Sequence, residues 1–235
     1  MSALTPLAER SAELRVAGVE PVGPYTLLRV AAGPIEPGSP GQFFMLQPPG
    51  RVLPRPMSLC LYEAGELCFL IHPIGPGTHA LCALSPGETL GVLGPLGNGY
   101  DLEVPNPLLV GGGIGIAPLP YVAQVLGDVP AILGFRSDRH AEAAALLPGA
   151  EVVVEPALVT ERIPAGPVDI LACGPEPMLE AVRRIAPDAQ LAWEAPMACG
   201  YGACYGCVVE IEGRLQRLCV SGPVLRAMFV RHASC

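Results

Sequence analysis

Four of the nine cysteines fall between residues 199 and 219, as Cys199-x4-Cys204-x2-Cys207 followed by Cys219. Three sulfurs that close in sequence can share one centre only if the backbone coils into a tight loop. Gly200, Gly202 and Gly206 supply the conformational freedom for that coil and let backbone N–H groups point inward, while Ala198 and Ala203 leave room beside the sulfurs. Residues 208–212 and 214–219 read as two strands turning at Glu212-Gly213, a hairpin that brings Cys219 back to the loop. The order C-x4-C-x2-C…C is a [2Fe–2S] ligand spacing. Four thiolates, two ferric ions and two sulfides sum to −2, a charge that inward-pointing amides stabilise. A zinc ion held by four thiolates is the competing reading, although zinc knuckles usually present two Cys-x2-Cys pairs.

Upstream of this loop the chain changes grammar once. Residues 12–19, 26–31, 42–47, 58–62, 66–71 and 89–93 read as short strands, punctuated by Gly33-Pro34, Pro37-Gly38, Pro48-Pro49-Gly50 and Pro86-Gly87. Evenly spaced strands with only one helical turn, at 78–84, predict a small antiparallel barrel. After Pro105 strands alternate with helices: strands at 107–110, 131–135, 151–154 and 169–172, helices at 117–125, 141–146 and 176–184. That alternation predicts a parallel α/β sheet. The expected fold is therefore a multidomain β plus α/β chain: a barrel over residues 1–103, an α/β unit over 104–192 and a Cys-rich unit over 193–235.

Hydrophobic residues at 51% allow full cores, and a net charge of −8 without a basic cluster argues against a nucleic-acid surface. Residues 1–15 contain no apolar core of signal-peptide length, and no run reaches the ~18–20 apolar residues of a membrane helix. A cytoplasmic protein with reduced cysteines is expected.

Three further motifs suggest nucleotide-like ligands. Arg55-Pro56-Met57-Ser58 offers a guanidinium for a diphosphate and a hydroxyl for a polar ring. Gly75-Pro76-Gly77-Thr78 opens the one helical turn of the first half, where backbone N–H groups favour phosphate. Residues 111–118, GGGIGIAP, join a strand to a helix and bring Gly111, Gly113, Gly115 and Ala117 to a candidate phosphate site, although Pro118 stands where a dinucleotide fingerprint has its third glycine. The second strand of that unit ends in Gly134-Phe135-Arg136-Ser137 and not in an acidic residue; Arg136 could accept a 2′-phosphate, leaving NAD against NADP open. Cys173-Gly174-Pro175 ends a later strand at the usual ligand edge. Gly94-Pro95-Leu96-Gly97-Asn98-Gly99 reads as a linking turn, and the four histidines (His72, His79, His140, His232) are scattered.

RPxS, GxGT, GGGxGxAP and CGPxPM in this order resemble the ferredoxin–NADP reductase superfamily. The C-terminal cysteines narrow the likeness to the electron-transfer subunits of class 1B dihydroorotate dehydrogenases, with the span from Cys207 to Cys219 shorter than in that family. The resemblance implies FAD in the barrel, contacted by Arg55, Pro56, Met57 and Ser58, with Leu70, Ile71 and His72 along its ribityl and phosphate side and Gly77 and Thr78 on the diphosphate. It implies NAD in the α/β unit, with Gly113 to Ala117 near its phosphates, and catalytic placement of Cys173 and Ser58 beside the reacting rings. Cys199, Cys204, Cys207 and Cys219 would hold the cluster. Electrons would pass from the FMN of a catalytic partner through cluster and FAD to NAD+, in pyrimidine biosynthesis, within a heterotetramer of two copies of each subunit. Tyr201 and Tyr205, with Val224, Leu225, Met228 and Phe229 after them, are the candidate partner contacts, the later four having packing under the cluster as their alternative role. An NAD(P)H-oxidising subunit serving a ferredoxin or hydrogenase, and a non-catalytic zinc scaffold, are the alternatives.

Overall fold

The computed structural model describes residues 7–227. Seven strands form the first half: β1 (Ser11–Val22), β2 (Tyr25–Ala31), β3 (Phe43–Gln47), β4 (Arg55–Ser58), β5 (Leu61–Glu63), β6 (Glu66–Ile71) and β7 (Thr89–Leu96). They form one antiparallel sheet in the order β4-β3-β7-β1-β2-β6-β5. The sheet curls around a core in which Leu14, Val16, Leu28, Val30, Phe44, Leu46, Leu67, Phe69, Ile71 and Val92 meet, closed at one end by Leu81 of α1 (Pro76–Cys82). Period-two alternation explains β6: Leu67, Phe69 and Ile71 face this core while Cys68 and Leu70 face the second half of the molecule. Both faces are buried, so the strand is an unbroken apolar run.

The single strand expected at 58–62 is two strands. Arg55–Ser58 pairs with β3 and Leu61–Glu63 with β6, at opposite edges of the sheet. Leu59 and Cys60, both buried, make the crossing between those edges. Pro56 is tolerated because β4 is an edge strand.

The second half builds around β8 (Pro107–Gly112), α2 (Leu119–Leu126), β9 (Ala131–Phe135), α3 (Asp138–Ala141), β10 (Glu151–Val154), β11 (Asp169–Cys173), α4 (Glu176–Ile185) and β12 (Gln190–Ala192). The helix expected from Ala117 begins later: a tight turn spans Gly113–Ile116, and Pro118 caps the start of α2. The helix expected at 141–146 is α3 running into a second tight turn, Glu142–Leu146. The parallel strands order as β10-β9-β8-β11-β12, so the order reverses between β8 and β11. Ligands bind at the carboxyl ends of strands at such a switch point.

The C-terminal part carries the hairpin β13 (Val208–Ile211) and β14 (Arg214–Arg217), the helical turn α5 (Leu218–Ser221) and β15 (Val224–Arg226). Cys219 was expected at the end of a strand; it sits on α5. Adjacent strand residues face opposite ways, yet Leu218 and Cys219 are both buried, which a helical turn accommodates. Short β12 and β15 escaped the sequence reading. β15 pairs antiparallel with β12, so Val224 and Leu225 serve the α/β sheet; Met228 and Phe229 lie outside the described residues.

The halves share one apolar cluster, in which Tyr25, Leu27, Cys60 and Leu70 meet Leu109, Ile116, Leu119 and Leu133. Hydrogen bonds lock it: Tyr121 Oη donates to the Gly38 carbonyl, 2.9 Å, and Tyr100 Oη to the Ala172 carbonyl, 3.0 Å. No helix among the described residues is long and apolar enough to cross a membrane.

Candidate functional site

Two cavities and one cysteine loop lie side by side. The first cavity, about 230 Å3, is lined by Pro56, Met57 and Ser58 of β4, Leu70 of β6, then His72 and Thr78. Ile71 turns its side chain into the barrel core, as alternation requires. Arg55 packs directly over Gly77, where any side chain would collide with its guanidinium. The Thr78 hydroxyl accepts from the backbone N–H groups of Ile74 and Gly75 at 3.1 and 3.0 Å, holding the entry to α1. A cation laid over a glycine at one end of an apolar slot, with a hydroxyl along it, fits a flat ring joined to a diphosphate.

The C-terminal part closes this cavity with Trp193, Glu194, Ala195, Met197 and Pro223, none of which the motifs pointed to. Glu194 is exposed and opens onto the cavity, whose neighbouring walls raise its pKa by desolvation. Cys173 is buried beneath, its thiol pushed far up by burial, with the Glu194 carboxylate adding to the shift.

The second cavity, about 320 Å3, lies over the carboxyl ends of β8, β9 and β10 and is lined by Gly112, Gly113, Gly134, Arg136, His140, Glu155, Pro175 and Met178, among others. Gly113 has φ +55° and open space before it. Gly111, Gly115 and Ala117 are buried: a side chain at Gly111 would strike Leu119, Ile116 and Leu133, and one at Gly115 would strike Gly174. These positions let the turn after β8 nest against the turn after β11. His72 and Ile114 line both cavities, so the two adjoin.

In the cysteine loop, Gly200 (φ +78°) seats against Met45 of β3, and Gly202 (φ +88°) against Val220 of α5. Burial alone would raise the Cys199 thiol, but N–H groups of Cys204, Tyr201 and Ala203 and the Cys204 side chain draw it down to about 7. Cys207 and Cys219 stand 3.2 Å apart, sulfur to sulfur, and burial with the Cys207 thiol pushes Cys219 up to about 12. The Gly202 N–H opposes that rise. Cys207 and Cys219 thus form one close pair, and Cys199 and Cys204 interact as another. Four cysteines in the C-x4-C-x2-C…C order, served by loop amides, fit the ligand spacing of a two-iron centre. Arg217 fixes the loop from outside, donating to the Gly202 carbonyl at 2.7 Å and lying over the Tyr205 ring.

The turn at residues 94–99 does more than link. Asn98 donates to the carbonyls of Val220 and Ser221, and its N–H to that of Gly222, so the barrel holds the segment carrying Cys219.

Residues 194–231 match the family model for the iron–sulfur cluster binding domain of dihydroorotate dehydrogenase B. Over 80% of this chain and 86% of the relative, the sequence is 36% identical to the dihydroorotate dehydrogenase B (NAD(+)) electron transfer subunit of Listeria innocua. The subunit of the same name from Bacillus caldolyticus is 35% identical over 80% and 85%. The chain belongs to the family of dihydroorotate dehydrogenase B electron transfer subunits. The likeness read from the motifs is borne out. This family's fold is shared with the NADH-dependent reduced ferredoxin–NADP oxidoreductase of flavin-based bifurcation (TM-score 0.80, 24% identity, 94% of this chain and 90% of that one) and with phthalate dioxygenase reductase (TM-score 0.64, 14% identity, 98% of each).

Proposed function

We propose that the chain serves as the electron-transfer subunit of an NAD-dependent dihydroorotate dehydrogenase, with FAD in the cavity between Arg55 and Trp193, a [2Fe–2S] cluster on Cys199, Cys204, Cys207 and Cys219, and NAD in the cleft over β8 and β9. When bound, the flavin exchanges electrons in pairs with nicotinamide and singly with the cluster. The residues of this chain do the positioning. Arg55 and Gly77 hold the diphosphate, Pro56 and Met57 shape the slot, Ser58 offers its hydroxyl to the ring edge, and Trp193 and Glu194 close the opposite side. His72 and Ile114 stand at the passage where nicotinamide would meet the flavin. Cys173, at the end of β11, is buried in the core beneath and lines neither cavity.

One observation carries this reading: both cavities and the cysteine loop are contiguous. Met197 lines the flavin cavity and Cys199 is two residues on, at most about 7 Å along the chain. Dihydroorotate oxidation then belongs to an FMN-containing catalytic partner, two copies of each subunit forming the complex in the cytoplasm. Tyr201 and Tyr205, both exposed beside the loop, are the partner contacts this reading selects.

The test is a visible spectrum of anaerobically purified chain before and after dithionite, followed by mixing with the FMN subunit. About two irons and one flavin per chain are expected, with dihydroorotate-dependent NADH formation only in the mixture. A colourless zinc protein, or dihydroorotate oxidation by the chain alone, would sink the assignment. Rapid NAD(P)H-to-ferredoxin transfer with no gain from the partner would identify a ferredoxin-serving subunit instead.

A further inference from the structure

The nucleotide cleft contains a hydrogen-bonded chain that none of the motifs announced. Arg136 follows β9 and lines the cleft; its Nε–H donates to Nε2 of His140 at 2.9 Å. The other ring nitrogen of His140, Nδ1, lies 2.8 Å from the Ser137 hydroxyl. An imidazole whose Nε2 accepts is neutral and carries its proton on Nδ1, which donates to Ser137. Tyr25 packs edge-on against both His140 and His72, with ring centroids 5.8 and 5.1 Å apart, and braces the imidazole from the barrel side. With Nε satisfied, the two terminal nitrogens of Arg136 are the groups the guanidinium has to offer an anion.

Resting on the nicotinamide reading above, we propose that neutral His140 is a positioning residue, which aims the Arg136 guanidinium at a phosphate of the bound dinucleotide and makes nucleotide affinity depend on pH. Protonation of His140 places an N–H opposite the Arg136 N–H, so the acceptor is lost and two cations adjoin. Arg136 must then leave its bidentate orientation. The added positive charge would attract the anionic dinucleotide, but in an open cleft that attraction is screened, whereas the aligned pair of charge-assisted bonds is lost outright.

The charged and titratable groups around His140 set the window. Partial burial lowers its pKa, with Arg136, His72 and Arg139 acting in the same direction. Glu155 lines the same cleft from the end of β10, Tyr25 faces the ring from β2, and Asp138 and Glu142 flank it on its own segment. The neutral form therefore prevails at pH 7.5, and the change falls below the ordinary imidazole range.

The experiment uses the flavin-loaded chain and NAD+ itself, with binding followed by calorimetry from pH 5 to 8. In the wild type Kd rises about tenfold as the pH falls. His140→Gln, whose carbonyl oxygen can stand where Nε2 does, keeps the affinity at pH 7.5 and loses the pH dependence. His140→Ala weakens binding about tenfold at pH 7.5, also without pH dependence. Separately, the His140 titration read by NMR moves upward in Arg136→Gln, because a cation and a donor have been removed. Unchanged affinity in His140→Ala, a retained pH profile in His140→Gln, or an unmoved titration in Arg136→Gln overturns the proposal. If the titration moves but the wild type binds no NAD+ at any pH, the nicotinamide reading itself falls, and this proposal with it.

Discussion

At the scale of single residues, the positions that matter most are those where an atom has no room to be added. Gly77→Ala drives a methyl group into the Arg55 guanidinium, which must then leave the diphosphate. FAD affinity is expected to fall at least tenfold, about 1.4 kcal/mol, measured by titrating apoprotein with FAD; wild-type affinity would remove the cradle. At the loop, Cys204→Ser takes one of four thiolates from the cluster. Iron should drop from about two per chain to a small fraction while flavin stays bound, as colorimetric iron and flavin assays would report. Two irons retained in that variant would reassign the ligand. Position sets other cysteines apart from these four. Cys60, Cys68 and Cys173 are buried in the core shared by barrel and α/β sheet, away from the loop.

At the scale of elements, α5 shows how packing controls a metal ligand. Leu218 is fully buried, precedes Cys219, and anchors the turn from which that sulfur projects. Leu218→Ala should cost about 2–5 kcal/mol as a large-to-small core change. The loss should appear first as faster iron release to a chelator, before any change in flavin fluorescence, because Leu218 lies beside Cys219 and is not among the residues lining the flavin cavity. Simultaneous loss of iron and flavin would mean that the two sites unfold as one unit. The break between β4 and β5 belongs here too. The apolar pattern through residues 58–62 is continuous, so one strand was the natural reading; closing the sheet requires the chain to cross from one edge to the other at Leu59 and Cys60.

At the scale of the whole molecule, the interface between barrel and α/β sheet is a core of its own, and its thiols give stability a pH dependence. Desolvation raises the pKa of Cys60 and Cys173 far above, and that of Cys68 to about 11, from an ordinary thiol value of 9.0. Folded pKa values above unfolded ones mean that the native state holds protons more tightly. Stability from this source is complete below the unfolded thiol pKa and is lost as pH rises towards the folded values. The melting temperature should therefore decline from about pH 8.5 upward, less steeply in Cys60→Ala. A flat profile to pH 10.5 would show that these thiols are not desolvated as packed.

By itself the sequence determined what is local. The cysteine spacing pointed to one tight loop with a returning hairpin, the strand and turn pattern specified two kinds of sheet, and RPxS, GxGT and GGGxGxAP marked turns that line the two cavities. These signals are legible because they depend on neighbours a few residues apart. Only the tertiary structure decided which of Gly111, Gly113, Gly115 and Ala117 faces the cleft and which serve packing, since that depends on the turn after β11. It alone brought Glu194 and Trp193 over the cavity beside β4, tied Asn98 to the segment holding Cys219, and set His140 against Arg136 in the same cleft as Glu155. Each of those contacts joins separate elements through side chains whose identity carries no local periodicity, so the chain had to fold before they could be read.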